Sequence, residues 1–450
     1  MSRADSPSDH VTPYDRFAMS DTDVERLLVI GEHKKELVDY FGPAEHRDLT
    51  RLAQQAARTP IKDADLHVIV VPGIMGSQLG LVRTPPLPND IVWVDPIDIQ
   101  VGRLATLRLP GPGSPSGARI VSLGVVLYSY LRLKLQLRAA GFAVSFHDYD
   151  WRLGVDELGH AFAERLRQEP AKRLAIVAHS LGGLVSRAAI VLPGAERVER
   201  VVLLGSPNFG SFATIQALRG TYAVVRKIAR LASQSSAEHL AGEVFNTFPS
   251  LYHMLPAAGG GNGADLFDAA AWPGTGPQPK AELLQQARHV QSMLAQPDSR
   301  FASIVGIGQE TVTSVRRLAD DFVYTITRHG DGTVPASSAA LPGATTHYAP
   351  VAHSDLTRDR VVAAAVVDLL RKGSTHRLPA KWSTSSTAQA RIADRELRRT
   401  DTGKVDWAAL EPQERRLFLQ NLNEPPKLKL RVPAANKKRA RKSVRAQRGR

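Results

Sequence analysis

Short, largely apolar runs recur through the middle of the chain, separated by stretches with helical spacing. Leu66–Val71, Phe142–Phe146, Leu174–Ala178 and Val201–Leu204 read as buried strands. Between them, Gly124–Ala140 places Val125, Leu127, Leu131, Leu135 and Leu137 at helical intervals, and Leu158–Glu169 and the stretch from Leu184 follow the same spacing. Strands apolar on both faces that alternate with helices predict an α/β class, a mostly parallel central sheet flanked by helices. Right-handed crossovers then gather the loops at the strand C-termini on one edge, where open α/β sheets carry their sites. Phe301–Ile307 and Phe322–Ile326 are predicted to resume the sheet, followed by Tyr348–His353 and a last helix from Asp355 to Leu370.

The alternation sets the domain boundaries. Residues 1–20 are polar and predicted to be disordered, and 21–62 form a helical extension broken by Gly42-Pro43. Residues 63–373 form the α/β domain. Within it, Pro85–Pro115 is rich in Pro and Gly around a strand-like Ile91–Val94, and reads as a lid or an irregular loop. Over 208–300 the alternation fails, leaving amphipathic pieces (Ile215–Leu231, Ala281–Leu294) and the glycine cluster Gly259–Gly263, which predicts an inserted cap. Residues 374–450 turn polar and basic, with one short helix at Pro412–Leu422 and a disordered tail at 427–450.

Composition narrows the chemistry. With no cysteine in 450 residues, disulfides, thiolate catalysis and cysteine metal sites are excluded. Met1–Arg16 lacks the apolar core of a secretory signal, and no apolar run is long enough to span a bilayer. A cytoplasmic or membrane-peripheral location is expected, with signal-independent export left open. Net charge is +14, but Lys427–Arg450 holds eleven Lys/Arg and no acid, so the rest of the chain carries only +3. The tail has no aromatic residue, so base stacking is unsupported and non-specific nucleic-acid contact is not favoured. A polycation suits peripheral contact with an anionic membrane, or simple solubility. Oligomeric state is not indicated.

The chemistry centres on Arg173–Arg187, an apolar strand, then His179-Ser180-Leu181-Gly182-Gly183, then a helix. Strand, tight turn with serine, helix is the context of a nucleophile elbow; Ala178 and Gly182 are the small residues that let strand and helix approach. Serine needs a base, and the base an orienting acid. On this sheet type they follow in the order Ser, acid, His, which Ser180, Asp331 and His353 match. Asp331 lies in a Gly-Asp-Gly-Thr turn after a late strand; Asp320 and Asp321 are weaker rivals because they precede that strand. Oxyanion donors are expected from the backbone N–H of Leu181, after the nucleophile, and of Ile74, after Pro72-Gly73. The alternative for Ile74 is a turn that merely packs. Asp148 and Asp150 are read as structural, an Asp paired with Arg152 and backed by Trp151, and His179 as a packed or hydrogen-bonded neighbour of the elbow, not the base. No metal-ligand spacing or phosphate-loop pattern occurs, so no metal or cofactor is expected.

Several of these elements together resemble the lecithin:cholesterol acyltransferase family of α/β hydrolases. They are Val71–Ser77, Tyr149–Arg152, Val177–Gly182, Leu204–Ser211, Phe248–Pro256, Gly330–Val334 and Ala352-His353, in the family's order over about residues 66–371. The resemblance implies an α/β-hydrolase fold with Ser180, Asp331 and His353 as triad and Ile74 and Leu181 as oxyanion hole. It also implies acyl-ester substrates, usually lipids, handled through an acyl-enzyme whose acyl group passes to an alcohol or water. Animal members are secreted and disulfide-bonded. Their disulfide-held lid and sterol acceptor do not carry over to a cysteine-free chain. The competing reading is a catalytically silent hydrolase fold that tethers through its basic tail; Ser180→Ala would leave that function intact.

Overall fold

The computed structural model describes residues 11–15, 18–63, 65–110, 119–257, 265–383, 389–399 and 403–420. The predicted disorder of the 427–450 tail and the Gly259–Gly263 cluster lie outside them. Twelve strands are present among the described residues: β1 (Leu66–Val71), β2 (Ser77–Leu81), β3 (Asp90–Trp93), β4 (Val121–Val125), β5 (Ala143–Phe146), β6 (Arg173–His179), β7 (Val198–Leu204), β8 (Phe301–Gly306), β9 (Thr311–Leu318), β10 (Asp321–Thr327), β11 (Thr345–Ala349) and β12 (Ala390–Ala393). Six of them form the central sheet in the order β11-β8-β7-β6-β1-β5, and every pairing is parallel.

Period-two alternation explains why the inner strands are largely apolar on both faces. Val68, Val70, Ala175 and Val177 face one side, where Leu133, Leu137, Val362 and Val366 cover them from the helices Leu127–Ala139 and Arg360–Lys372. Ile69, Val71, Leu174 and Ile176 face the other, under Phe162, Leu166, Leu184 and Val185 of the helices Val155–Gln168 and Leu181–Ile190. With both faces dry, each branched side chain contributes roughly 1.5–3 kcal/mol of burial. The fold class is that of α/β hydrolases: a parallel sheet, helices on both faces, and a serine-bearing turn after β6.

The helix Leu127–Ala139 is buried on two sides. Its Leu127, Leu131 and Leu135 meet Val24, Leu28, Phe41 and Leu49 of the N-terminal helices Asp21–Ile30, Lys34–Phe41 and Pro43–Arg58. The cations on that shared face are paired: Arg132 with Glu45 (2.6 Å) and Asp48 (3.0 Å), Lys134 with Asp21 and with Glu25 (2.5 Å).

Several expectations are corrected. The helix expected from Gly124 starts at Leu127, because Val121–Val125 is a strand whose alternation is too short to stand out. The strand expected at Ile91–Val94 is present as β3, but its surroundings differ from the expected lid or irregular loop: β3, β2 and β4 make a small antiparallel sheet, continued by the helix Pro96–Gln100. Phe322–Ile326 does not rejoin the central sheet. Its strand β10 folds back on β9 through a tight turn at Ala319-Asp320, with Ala319 at φ 51°, and takes β12 as its other neighbour. A two-residue turn can only close an antiparallel pair, so the parallel position beside β8 falls to β11. Ile215–Leu231 is two helices, Ala213–Leu218 and Ala223–Leu231, parted at Gly220, and Ala281–Leu294 is the helix Ala281–Ala287 followed by a single turn, Val290–Met293.

The described residues flanking the α/β domain are more embedded than their polarity suggests. Asp15, within the stretch expected to be disordered, is buried and accepts from the N–H of Thr12 (2.7 Å) and Ile91 (2.9 Å). Beyond residue 373, Asp394 is fully buried against Arg219 (2.9 Å), and Tyr324 donates to it (2.8 Å). Trp407 and Phe418, the latter on the helix Pro412–Gln420, pack into the same core.

Candidate active site

The sheet register brings the loops after β1 and β6 side by side, because Val71 pairs with Ala178. At the end of β6 the backbone turns sharply: Ser180 sits at φ 54°, ψ −126°, a conformation that costs on the order of 1–3 kcal/mol for a residue with a Cβ. The surroundings hold it there. Its N–H donates to Leu204 of the neighbouring strand (3.0 Å), and its carbonyl accepts from Gly183 (2.9 Å). A Cβ on Gly182 would lie 2.4 Å from the Pro72 carbonyl oxygen, so the helix can approach β1 this closely only with glycine.

Ser180 Oγ lies 3.0 Å from His353 Nε2, and His353 Nδ1 lies 2.7 Å from Asp331 Oδ2. The carboxylate requires the proton on Nδ1, which leaves Nε2 to accept from the serine hydroxyl. The other Asp331 oxygen accepts from the N–H groups of Thr333 (2.9 Å) and Val334 (2.7 Å), so the carboxylate is fixed on both sides. His353 N–H also donates to the Asp331 carbonyl (2.9 Å). All three residues are buried. Asp331 reaches its place not from a strand of the central sheet, as expected, but from the segment after β10 that returns against the end of β8. Gly205, at φ 56° after β7, keeps the space clear: a Cβ there would come within 3.0 Å of Asp331 Oδ2 and 3.1 Å of His353 Nδ1.

The loop Pro72–Gly76 passes beside the serine and is fixed along its length. Tyr149 donates to the Pro72 carbonyl (2.6 Å), Gly73 N–H donates to Tyr130 Oη (2.8 Å), and Trp93 Nε1 donates to the Met75 carbonyl (3.1 Å). Among the described residues neither the Ile74 N–H nor the Leu181 N–H has an acceptor, which leaves both for a ligand atom. Ile74 and Ser180 border one cleft with His353, and its walls are largely apolar, from Trp93, Val94, Val126, Phe245, Leu251 and Met254.

The remaining sequence candidates lie elsewhere. Asp150 pairs with Arg152 through two bonds (2.8 and 2.6 Å), Asp148 accepts from Ser122 (2.6 Å), and neither borders the cleft. Asp320 is exposed and accepts from Gly274 N–H. His179 touches Tyr130 and the His353 carbonyl, and burial, with the nearby His353, pushes its pKa down to about 3. Sequence reasoning missed Tyr130, whose place in an apolar helical stripe is that of any core aromatic. Among the described residues no cluster of three or more His, Asp or Glu has the arrangement of a metal site, and no helix is long and apolar enough to cross a membrane.

Residues 160–253, which span the elbow and much of the stretch beyond it, match the family model of the PGAP1-like alpha/beta domain. No curated protein matches the chain. Among solved structures, the mature lipase BlEst2 of Bacillus licheniformis aligns at 14% identity over 71% of this chain and 95% of its own, with a TM-score of 0.36. The Tle4–Tli4 complex aligns at 15% identity over 68% and 98%, TM-score 0.39. Phospholipase PlaB of Legionella pneumophila aligns at 11% over 68% and 57%, TM-score 0.30.

Proposed function

We propose that this chain is a serine ester hydrolase that works through an acyl-enzyme, with lipid acyl esters as its substrate class. The observation that carries this reading is the continuous relay Ser180 Oγ, His353, Asp331 at 3.0 and 2.7 Å, set on a strained turn in an apolar cleft. Ser180 Oγ attacks the ester carbonyl as its proton passes to His353 Nε2. Asp331 holds Nδ1–H and stabilises the imidazolium without taking its proton. The oxyanion is met by the N–H groups of Ile74 and Leu181, worth roughly 3–4 kcal/mol per donor. As the tetrahedral adduct collapses, the C–O bond to the leaving alcohol breaks and His353 returns its proton to that oxygen. Water, or a second alcohol, then attacks the acyl-enzyme by the same steps in reverse.

The likeness to the lecithin:cholesterol acyltransferase family extends the proposal to transfer onto an alcohol acceptor, and the apolar walls support a fatty acyl chain. Intact-mass analysis after treatment with a fluorophosphonate tests the nucleophile. One adduct on the wild type and none on Ser180→Ala is expected, followed by hydrolysis of p-nitrophenyl esters with a preference for longer chains. A folded wild type that takes no adduct, even with phospholipid vesicles present, would leave the silent tethering fold as the better reading.

A further inference from the structure

Beside the serine, two side chains that border the same cleft but lie outside the catalytic relay are joined into one line. Gly73 N–H donates to Tyr130 Oη (2.8 Å), Tyr130 Oη lies 3.0 Å from His179 Nδ1, and His179 Nε2 lies 3.0 Å from the His353 carbonyl oxygen. The direction of every proton follows from the end groups. A carbonyl can only accept, so His179 Nε2 must carry the hydrogen. In the neutral ring Nδ1 is then bare and must accept, so it takes the single Tyr130 proton. The Tyr130 oxygen is left to accept from Gly73, which it does. Each polar group in the line uses the one role open to it, and both side chains are buried, which makes any break costly.

The two ends of this line are the two sides of the site. Gly73 immediately precedes Ile74, whose N–H is the proposed oxyanion donor, and the His353 backbone carries the proposed base. We propose that Tyr130 and His179 are positioning residues that set these two backbones at a fixed separation across Ser180, so that base and oxyanion donor are aligned together before substrate arrives. The inference rests on the reading of Ser180, His353 and Ile74 as reacting groups. Neither Tyr130 nor His179 exchanges a proton with substrate; their effect passes through the residues they hold.

The experiment compares p-nitrophenyl ester kinetics of the wild type with Tyr130→Phe, His179→Leu, the double variant and His179→Gln. Each of the first two should lower kcat about 10- to 100-fold, the scale of a small misplacement of reacting groups, with KM within about twofold. Because both act through one line, the double variant should fall no further than the worse single. His179→Gln, whose amide nitrogen can still donate to the His353 carbonyl, should regain part of the loss. Unchanged kcat with lowered thermal stability, or losses that multiply in the double variant, would overturn the proposal. A second readout does not need turnover: in a protein with ¹⁵N-labelled histidine, His179 should show the Nε2–H tautomer, and Tyr130→Phe should shift its Nδ1 resonance. The Nδ1–H tautomer would overturn the line itself, whereas a wild type without esterase activity but with the expected spectrum would instead count against the reading of Ser180.

Discussion

At the scale of the residue, His179 gives the sharpest pH signature. Its folded-state pKa is pushed down to about 3 by burial, reinforced by His353, while in the unfolded chain it titrates near its ordinary value. Between those limits the unfolded state binds a proton that the folded state refuses. Stability from this group is therefore complete above about pH 6.5 and declines as pH falls, by up to roughly 1.4 kcal/mol per pH unit. The groups that face it are Tyr130 and His353, and among the described residues no acid contacts it to favour the charged form. Other buried groups titrate in the same window, so the wild type alone is not diagnostic. The difference between wild type and His179→Gln in urea unfolding is: it should shrink steadily as pH drops from 7 to 4. A difference that stays constant would mean that His179 is already charged or hydrated in the fold. Residues of this kind explain what was legible in the sequence. Ser180 and His353 stood out because chain order and a strand-turn-helix context constrain them. Asp331 was legible from order alone, and the strand invoked to support it lies in another sheet. Tyr130 was invisible, since its partners Gly73 and His179 come from two segments distant in sequence.

At the scale of the element, legibility followed burial. The central strands are covered on both faces, so their apolar runs announce them; β2, β4 and β9 belong to small antiparallel sheets, and their polar alternation is easily read as loop. The segment around β3 shows what holds such a region. Arg103 binds Asp90 (2.6 Å) and Asp98 (2.6 Å), both almost fully buried, and Asp90 is shared with Arg83 (2.9 Å). This cluster fixes β3 and the helix Pro96–Gln100, hence Trp93 and Val94 on the wall of the cleft. Burial, reinforced by Asp95, pushes the Asp98 carboxyl up to about 7, so its ionised form depends on Arg103. Arg103→Met leaves carboxylates buried without that partner and should cost about 3–5 kcal/mol in denaturant unfolding at pH 8. The deficit should narrow towards pH 5 as Asp98 takes up a proton. A loss below about 0.5 kcal/mol, the scale of an ordinary surface site, would show that the cluster does not brace the wall.

At the scale of the whole molecule, charge separates the chain into two parts. Eleven of the fourteen net positive charges lie in Lys427–Arg450, and the remainder is close to neutral at +3. A lipid surface therefore has little to attract it in the body and much in the tail. Near anionic lipid each Lys or Arg contributes about 1 kcal/mol, and the attraction decays over roughly 10 Å at 0.1 M salt. For the ester hydrolase proposed above, such an attachment would bring the apolar cleft to a surface that holds its proposed substrate. The expected behaviour is selective: the full chain should co-sediment with phosphatidylglycerol vesicles, not with phosphatidylcholine alone, and high salt should release it. A full-length variant with the eleven tail cations replaced by glutamine should lose vesicle binding while hydrolysing a water-soluble p-nitrophenyl ester as fast as the wild type. Undiminished vesicle binding by that variant would place the membrane contact on the folded body, and loss of soluble-ester turnover would tie the tail to the fold of the site.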